Sequence, residues 1–132
     1  TYAIYTNHGY KLNNVYDMLV AQLDVTAAAT EAGDTLDVYL DTSFDGGLSW
    51  VNIGHFTQLA GDGGAKSYIM TFKANPVASS NSAAVGTDQS AGNALQIGWG
   101  DRIRYRAAEA NTSTANSSYT FSLKLFGLLA RK

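Results

Sequence analysis

The side chains of this chain that could do chemistry are few and poorly spaced for catalysis. His8 and His55 have no further ligands at metal-binding spacing, and no serine lies in the Gly-x-Ser-x-Gly elbow that exposes a nucleophile. Asp37 and Asp41 share one strand face, but glycoside hydrolysis needs two carboxyl groups that flank one cleft. We interpret this pair as a solvated strand face. The sequence therefore predicts a protein that is not an enzyme and that holds no cofactor or metal ion.

The composition narrows the classes of partner. The net charge is −2 over 132 residues, which predicts no nucleic-acid footprint. The chain has no cysteine, so disulfides and cysteine-based zinc sites are excluded. No apolar run approaches membrane-spanning length, and the first residues lack a basic-then-apolar signal pattern. We therefore expect neither a nucleic acid nor a membrane as partner.

The most concentrated charge is a stripe of three arginines, Arg102, Arg104 and Arg106, which alternate along one predicted strand. Because successive strand residues point to opposite faces, the arginines share one face. We expect them to meet carboxylates, either Asp37 and Asp41 on a neighbouring strand or acidic groups of a partner subunit. We favour either of these ion-pair arrangements over binding of the arginines to a polyanion such as RNA. The opposite face carries Ile103, Tyr105 and Ala107.

A hairpin lies at the centre of the chain, over residues 36–56. Its turn, Ser43-Phe44-Asp45-Gly46-Gly47-Leu48-Ser49-Trp50, resembles the Asp-box, a hairpin known from sialidase propellers, where it performs no chemistry. The resemblance implies a structural turn held by Ser43, Asp45, Gly47, Ser49 and Trp50. Glycines permit the positive φ of a tight turn, and the aspartate accepts hydrogen bonds from the backbone just ahead of it. We expect the Trp50 ring to be buried against the core.

The remaining alternating runs predict an all-β domain without helices. The pattern favours an antiparallel β-sandwich, jelly-roll-like, with about seven or eight strands, and Leu95, Ile97 and Trp99 indicate one short strand among them. Residues 1–18 are interpreted as an extended N-terminal arm and residues 19–132 as the sandwich domain, with a long loop at about 75–94. The arm carries four tyrosines as candidate interface residues, together with the arginine stripe: Tyr2, Tyr5, Tyr10 and Tyr16.

The order of these motifs resembles β-sandwich structural proteins of tailed-bacteriophage virions, above all capsid decoration or cement proteins. The residues that carry the resemblance lie between 19 and 128: the strand Leu23 to Thr26, the hairpin, Gly100-Asp-Arg-Ile-Arg-Tyr-Arg, and Tyr119-Thr-Phe-Ser-Leu-Lys-Leu-Phe-Gly. The resemblance implies a virion protein on the capsid exterior. Its partners would be the major capsid protein and copies of itself, as a dimer or trimer.

Two rival hypotheses remain open. The first is a tail, connector or fibre component, which differs from a decoration protein in its location on the particle. The second is a carbohydrate-binding module, because β-sandwiches with exposed aromatic platforms bind glycans. Such a module would need coplanar exposed rings, and Trp50 and Trp99 are the candidates.

Overall fold

The architecture is taken from a computed structural model, which describes residues 2–6, 9–12, 14–74, 85–110 and 118–129. Within these ranges the chain is all-β, with no helix, and forms two antiparallel sheets. The all-β prediction is therefore confirmed. None of these residues forms a helix long and apolar enough to span a membrane.

The larger sheet is built around two long neighbouring strands, β4 (Thr35–Ser43) and β9 (Arg102–Ala110). They pair antiparallel over nine residue pairs, from Thr35 opposite Ala110 to Ser43 opposite Arg102. The other edge of β9 pairs with two N-terminal strands, and β4 also pairs with the returning strand of the hairpin. A two-residue strand extends the sheet beyond this returning strand. The remaining strands of this sheet are β1 (Tyr2–Thr6), β2 (Tyr10–Lys11), β5 (Val51–His55), β6 (Leu59–Ala60) and β8 (Asn93–Ala94).

The smaller sheet has three strands, and the central one is β3 (Tyr16–Ala27). Strand β7 (Lys66–Lys73) lies on one side of it and β10 (Thr120–Leu129) on the other. Both pairings are antiparallel. Strand β10 therefore lies at an edge of the sheet.

Side chains from both sheets share one hydrophobic core. Alternate residues of β3 and β4 point inward, as the period-two pattern requires, and their outward neighbours are polar or partly exposed. Gly54 faces this core, because a Cβ added there would lie 2.4 Å from the sulfur of Met70. The most deeply buried apolar side chains are Leu19, Leu23, Val25, Leu36, Val38, Ile53, Phe56 and Phe72.

The bounds of several elements differ from the sequence-based predictions. The interpretation of residues 1–18 as an arm left room for one short strand, and residues 2–6 form an edge strand on β9. Strand β3 begins at Tyr16 instead of Leu19. Residues 95–99 do not form the predicted strand, and only Asn93–Ala94 pairs there. Of the predicted long loop, residues 75–84 lie outside the described residues. Its second half is tied to β5, because the Gly92 amide donates to the His55 carbonyl at 2.9 Å.

Candidate functional site

The central turn has the hydrogen-bond pattern that its resemblance to the Asp-box implies. The Asp45 carboxylate accepts from the Ser49 amide at 2.9 Å and from the Ser49 hydroxyl at 2.6 Å. The Gly47 amide donates to the Ser43 hydroxyl at 2.8 Å, and that hydroxyl donates to Asp45 at 2.8 Å. Gly46 and Gly47 adopt φ values of 74° and 98°. Asp45 thus accepts a hydrogen bond from the backbone just ahead of it, and its role in stabilising the turn stays a prediction.

These hydrogen bonds make the turn sensitive to acid. The hydroxyl and amide of Ser49 and the hydroxyl of Ser43 lower the pKa of Asp45 from 3.8 to about 2. Because the folded-state pKa is depressed, the stabilisation is present above pH 3.8 and is lost as the pH falls through about 2. We expect Asp45→Asn to be less stable than the native chain at neutral pH and to lose less stability over that acid window. Urea midpoints measured from neutral pH down to pH 2 check this, and parallel curves would contradict it.

The position of Trp50 contradicts the expectation that its ring is buried in the core. The ring is only partly buried and lies on the outer side of the larger sheet. The Arg104 guanidinium lies 4.5 Å from its centroid, a cation–π contact. A Cβ on Gly9 would come within 2.5 Å of the indole, so the ring edge packs on the backbone there. The tryptophan therefore joins the arginine face, because it precedes β5 on the side opposite the core.

Two arginines of the stripe, Arg104 and Arg106, are neutralised within the chain, as one of the two predicted arrangements required. The buried Nε of the third, Arg102, has no hydrogen-bond partner among the described residues. Asp41, whose side chain is 2 % exposed, accepts from Arg104 Nε at 2.8 Å and from Arg106 Nε at 2.7 Å. Asn52 donates to the same carboxylate at 2.9 Å. Arg106 also bonds Asp88, and its guanidinium lies 4.5 Å from the Tyr39 centroid. This cluster is called the Asp41 network.

The electrostatics of the Asp41 network favour the charged forms of Asp41 and Arg106. Burial acts to raise the pKa of Asp41, but hydrogen bonds from Arg106, Asn52 and Arg104 outweigh it and hold that pKa below 3.8. Burial acts to lower the pKa of Arg106, and the carboxylates of Asp41 and Asp88 outweigh this and raise it. Asp41 and Arg106 therefore form an ion pair at neutral pH.

Asp37, the second carboxylate expected to face the arginines, has a different partner. Its Oδ1 lies 2.7 Å from Nε2 of His55, and its Oδ2 accepts from Gln58 at 2.8 Å. The Nδ1 atom of His55 lies 2.8 Å from the Gln89 carbonyl. Since a carbonyl only accepts, Nδ1 is the donor in that contact. Asp37 thus positions the imidazole that holds residues 85–92 to the sheet, a role that the sequence did not indicate.

This contact gives a testable role to His55. Replacing it by alanine leaves the Gln89 carbonyl without its donor and Asp37 without its contact to the imidazole. The backbone amides of residues 85–92 should then exchange about tenfold faster, as expected for the loss of a hydrogen bond that ties this segment to the sheet. Hydrogen exchange followed by mass spectrometry measures this. Thr57→Ala, at an exposed neighbouring position, is the control. Equal exchange in the His55 variant and the control would contradict the assignment.

A shallow concavity of about 140 Å³ lies over the Asp41 network, between Trp50 and Asp88. Its charged side chains already pair with one another, so a ligand there would compete with existing ion pairs. Among the described residues no group of three or more His, Asp or Glu could hold a metal ion. The arrangement therefore suits the binding of a polar ligand beside the Trp50 ring.

A second surface lies on the outside of the smaller sheet. From Leu19 to Val25 the inward residues of β3 are odd-numbered, so the even-numbered residues from Met18 to Asp24 point outward. In register, Phe126 lies opposite Val20 and Leu128 opposite Met18. Ile69 lies opposite Gln22, the outward residue after Val20. Ile69, Phe126 and Leu128 are 67 %, 49 % and 52 % exposed. These five apolar residues are called the outer apolar patch: Met18, Val20, Ile69, Phe126 and Leu128.

The predicted interface tyrosines lie at different places. Tyr2 and Tyr5 belong to β1, opposite Ala110 and Ala107 of β9. Tyr10 in β2 is 68 % exposed. The Tyr16 ring lies over Gly127 of the smaller sheet, since a Cβ on that glycine would come within 2.3 Å of it. Tyr10 and Tyr16 therefore belong to different sheets.

Comparison with known proteins adds no family assignment. No protein-family model, curated protein or solved structure matches this chain.

Proposed function

We propose that this chain is a non-enzymatic structural protein of a tailed-bacteriophage virion. It decorates the capsid exterior and cements it through contacts with the major capsid protein and with copies of itself. The two sheets around one core suit a β-sandwich with jelly-roll-like topology, the fold that the resemblance to virion proteins implies. A protein with this role needs a rigid body and an adhesive surface, and it needs no active site.

The observation that carries the proposal is the outer apolar patch. A sheet face that points away from the core is normally polar, as it is at Ser67 and Lys124 on the same sheet. Beyond Lys124 along β10 this face instead presents Phe126 and Leu128 to solvent, next to Val20 and Met18 of β3. Ile69 of β7 lies in the same row as Lys124 and is exposed as well. Contiguous exposed apolar patches of this kind mark protein interaction sites. The shell of a capsid is a surface to which such a face would attach.

The rest of the molecule has the features of a rigid domain that carries an attachment surface. Two of the three arginines, Arg104 and Arg106, are paired with Asp41 and Asp88 in the chain's own sheet and loop. This internal neutralisation argues against a polyanion as the ligand. The Asp45 turn fixes one end of the larger sheet and the His55 contact fixes residues 85–92.

The experiment that tests the proposal is localisation on purified particles. The protein should co-purify with intact virions and, when labelled, should appear over the shell in electron micrographs. Label confined to the tail would replace the decoration role by the tail, connector or fibre role. Absence from particles of a phage that expresses the protein would overturn the proposal.

A second candidate, a carbohydrate-binding module, is favoured by one observation: Trp50 is partly exposed beside the polar concavity at Asp88. Against it, the Arg104 guanidinium already stacks on that ring. Trp99 packs against the core and lines a different concavity, so no pair of coplanar rings is formed by the two. Titration of bacterial surface polysaccharide while following tryptophan fluorescence tests this candidate. A saturable change that Trp50→Phe abolishes would support it, and no change would remove it.

A further inference from the structure

The edge strand β10 has an unusual distribution of side chains. It is ten residues long, and only β3 pairs with it among the described strands. Its first half alternates between partly buried and exposed residues, but from Leu125 to Leu129 every residue is exposed. Four of these five are large and apolar, and the fifth is Gly127. A long apolar edge strand exposes unpaired backbone groups together with apolar side chains and is a template for pairing with another strand.

We propose that β10 pairs antiparallel with β10 of a second copy of this chain, about a two-fold axis at Gly127. The two smaller sheets then join into one continuous sheet of six strands. The inference rests on the proposed function in that it names the contact by which copies of the protein join, but the dimer itself requires no capsid.

The register follows from the position of the apolar segment. Residues 125–129 have Gly127 as their midpoint, so antiparallel pairing about that residue overlaps the two segments completely. Phe126 then lies opposite Leu128 of the second copy on the outer face, and Leu125 lies opposite Leu129 on the inner face. Directly opposed apolar side chains are the stabilising unit of an antiparallel pair. The two outer apolar patches also become continuous across the axis.

The charges agree with the same register. Lys124 is the charged residue of β10, and a two-fold axis at Lys124 would place two ammonium groups directly opposite, which is destabilising. With the axis at Gly127 the two lysines are six residues apart along the sheet, or about 20 Å. Lys124 also retains its contact with Asp24 at 3.8 Å in its own chain.

The dimer would cover apolar side chains that each chain exposes alone. The four apolar residues of the segment are between 38 % and 62 % exposed, and pairing covers the sides that face the second copy. The backbone edges of residues 125–129 add main-chain hydrogen bonds across the axis. A narrow slot of about 100 Å³ between the sheets, lined by Leu123, Leu125 and Tyr105, opens beside the same edge and would be covered.

Association in solution is the first test. The native protein should sediment as a dimer at concentrations on the order of 10 µM. Leu128→Lys should weaken the dimer about 100-fold, because the contact is lost twice, at about tenfold each. Ile69→Lys is the matched control: it adds the same charge to the same sheet face, but on β7, the far edge from β10, and should leave the dimer intact. A monomeric native protein at about 100 µM would overturn the proposal.

Cysteine pairing tests the register, because the chain has no cysteine of its own. The double variant Phe126→Cys/Leu128→Cys places opposed thiols across the axis and should oxidise to a covalent dimer. The double variant Ser122→Cys/Lys124→Cys has the same spacing on the same strand, but its thiols would face residues beyond 129, so it should stay monomeric on a non-reducing gel. Efficient crosslinking of the second variant and not the first would overturn the proposed register.

The outcomes also separate this inference from the proposed function. A dimer with these crosslinks that is absent from virions leaves the β10 pairing in place and removes the capsid role. A virion protein that remains monomeric in solution and forms neither crosslink on the particle removes the β10 pairing and leaves the capsid role.

Discussion

Replacing Asp41 by alanine is expected to cost about 3–5 kcal/mol of unfolding free energy. Two arginines donate to this carboxylate, which is 2 % exposed. Removing it leaves two partly buried guanidinium groups without this anionic partner. An unpaired buried charge destabilises a fold by more than the original ion pair stabilised it. Asn52 loses an acceptor as well. Chemical denaturation at neutral pH measures the loss.

Asp88 provides the matched control for this prediction. It bonds Arg106 like Asp41, but its side chain is 40 % exposed. Exposed ion pairs contribute about 0–1 kcal/mol, so Asp88→Ala should lower stability by no more than that. If the two variants were equally stable, the Asp41 network would contribute no more than a surface ion pair. That result would contradict the conclusion that a buried carboxylate stabilises the larger sheet.

Replacing Gly100 by alanine is the second change with a large expected effect. A Cβ at this position would lie 1.8 Å from the carbonyl oxygen of Ser43. This oxygen is backbone at the start of the Asp45 turn, so no side chain can rotate away and the strand itself must move. We expect a loss of about 3 kcal/mol, at the upper end of the usual cost of overpacking. The shift should also disturb Thr42, whose hydroxyl accepts from the Gly100 amide at 2.8 Å.

Gly63→Ala is the control for this effect. A Cβ there meets only the Ala60 carbonyl, at 3.2 Å, and the residue lies in an exposed turn. Its denaturation midpoint should change little. Equal midpoints for the Gly100 and Gly63 variants would contradict the close approach of the two backbone segments.

Much of the fold could be predicted from the sequence where periodicity and turn chemistry agree. The alternation at residues 19–25, 36–41 and 102–107 marks inward and outward positions correctly, because these strands have one face in the core. The prediction that the arginine stripe meets Asp41 across strands holds for Arg104 and Arg106 and not for Arg102. The Asp45 turn was predictable because all its hydrogen bonds are local and depend on residue types within seven positions.

The details that could not be predicted depend on packing between segments distant in the chain. Trp50 faces outward because it lies just outside β5, where a register shift between Leu40 and Asp41 alters the alternation. The His55 contact joins β4, β5 and residue 89, and no local pattern marks it. The sequence alternates from Tyr119 to Leu125, but β10 is an edge strand and every residue from Leu125 to Leu129 is exposed, which no local pattern indicates.

The measurement that tests the central claim most directly is binding of the purified protein to shells that lack it. Co-sedimentation of native protein with undecorated capsids should be saturable. Ile69→Lys should weaken that binding by at least tenfold, since it places a charge in the outer apolar patch, while Thr57→Lys, which adds the same charge at an exposed site outside the smaller sheet, should bind like the native chain. Both variants should keep the native denaturation midpoint. Binding that is absent, or that is equally strong in the Ile69 variant, would contradict the claim that this face attaches the protein to a capsid.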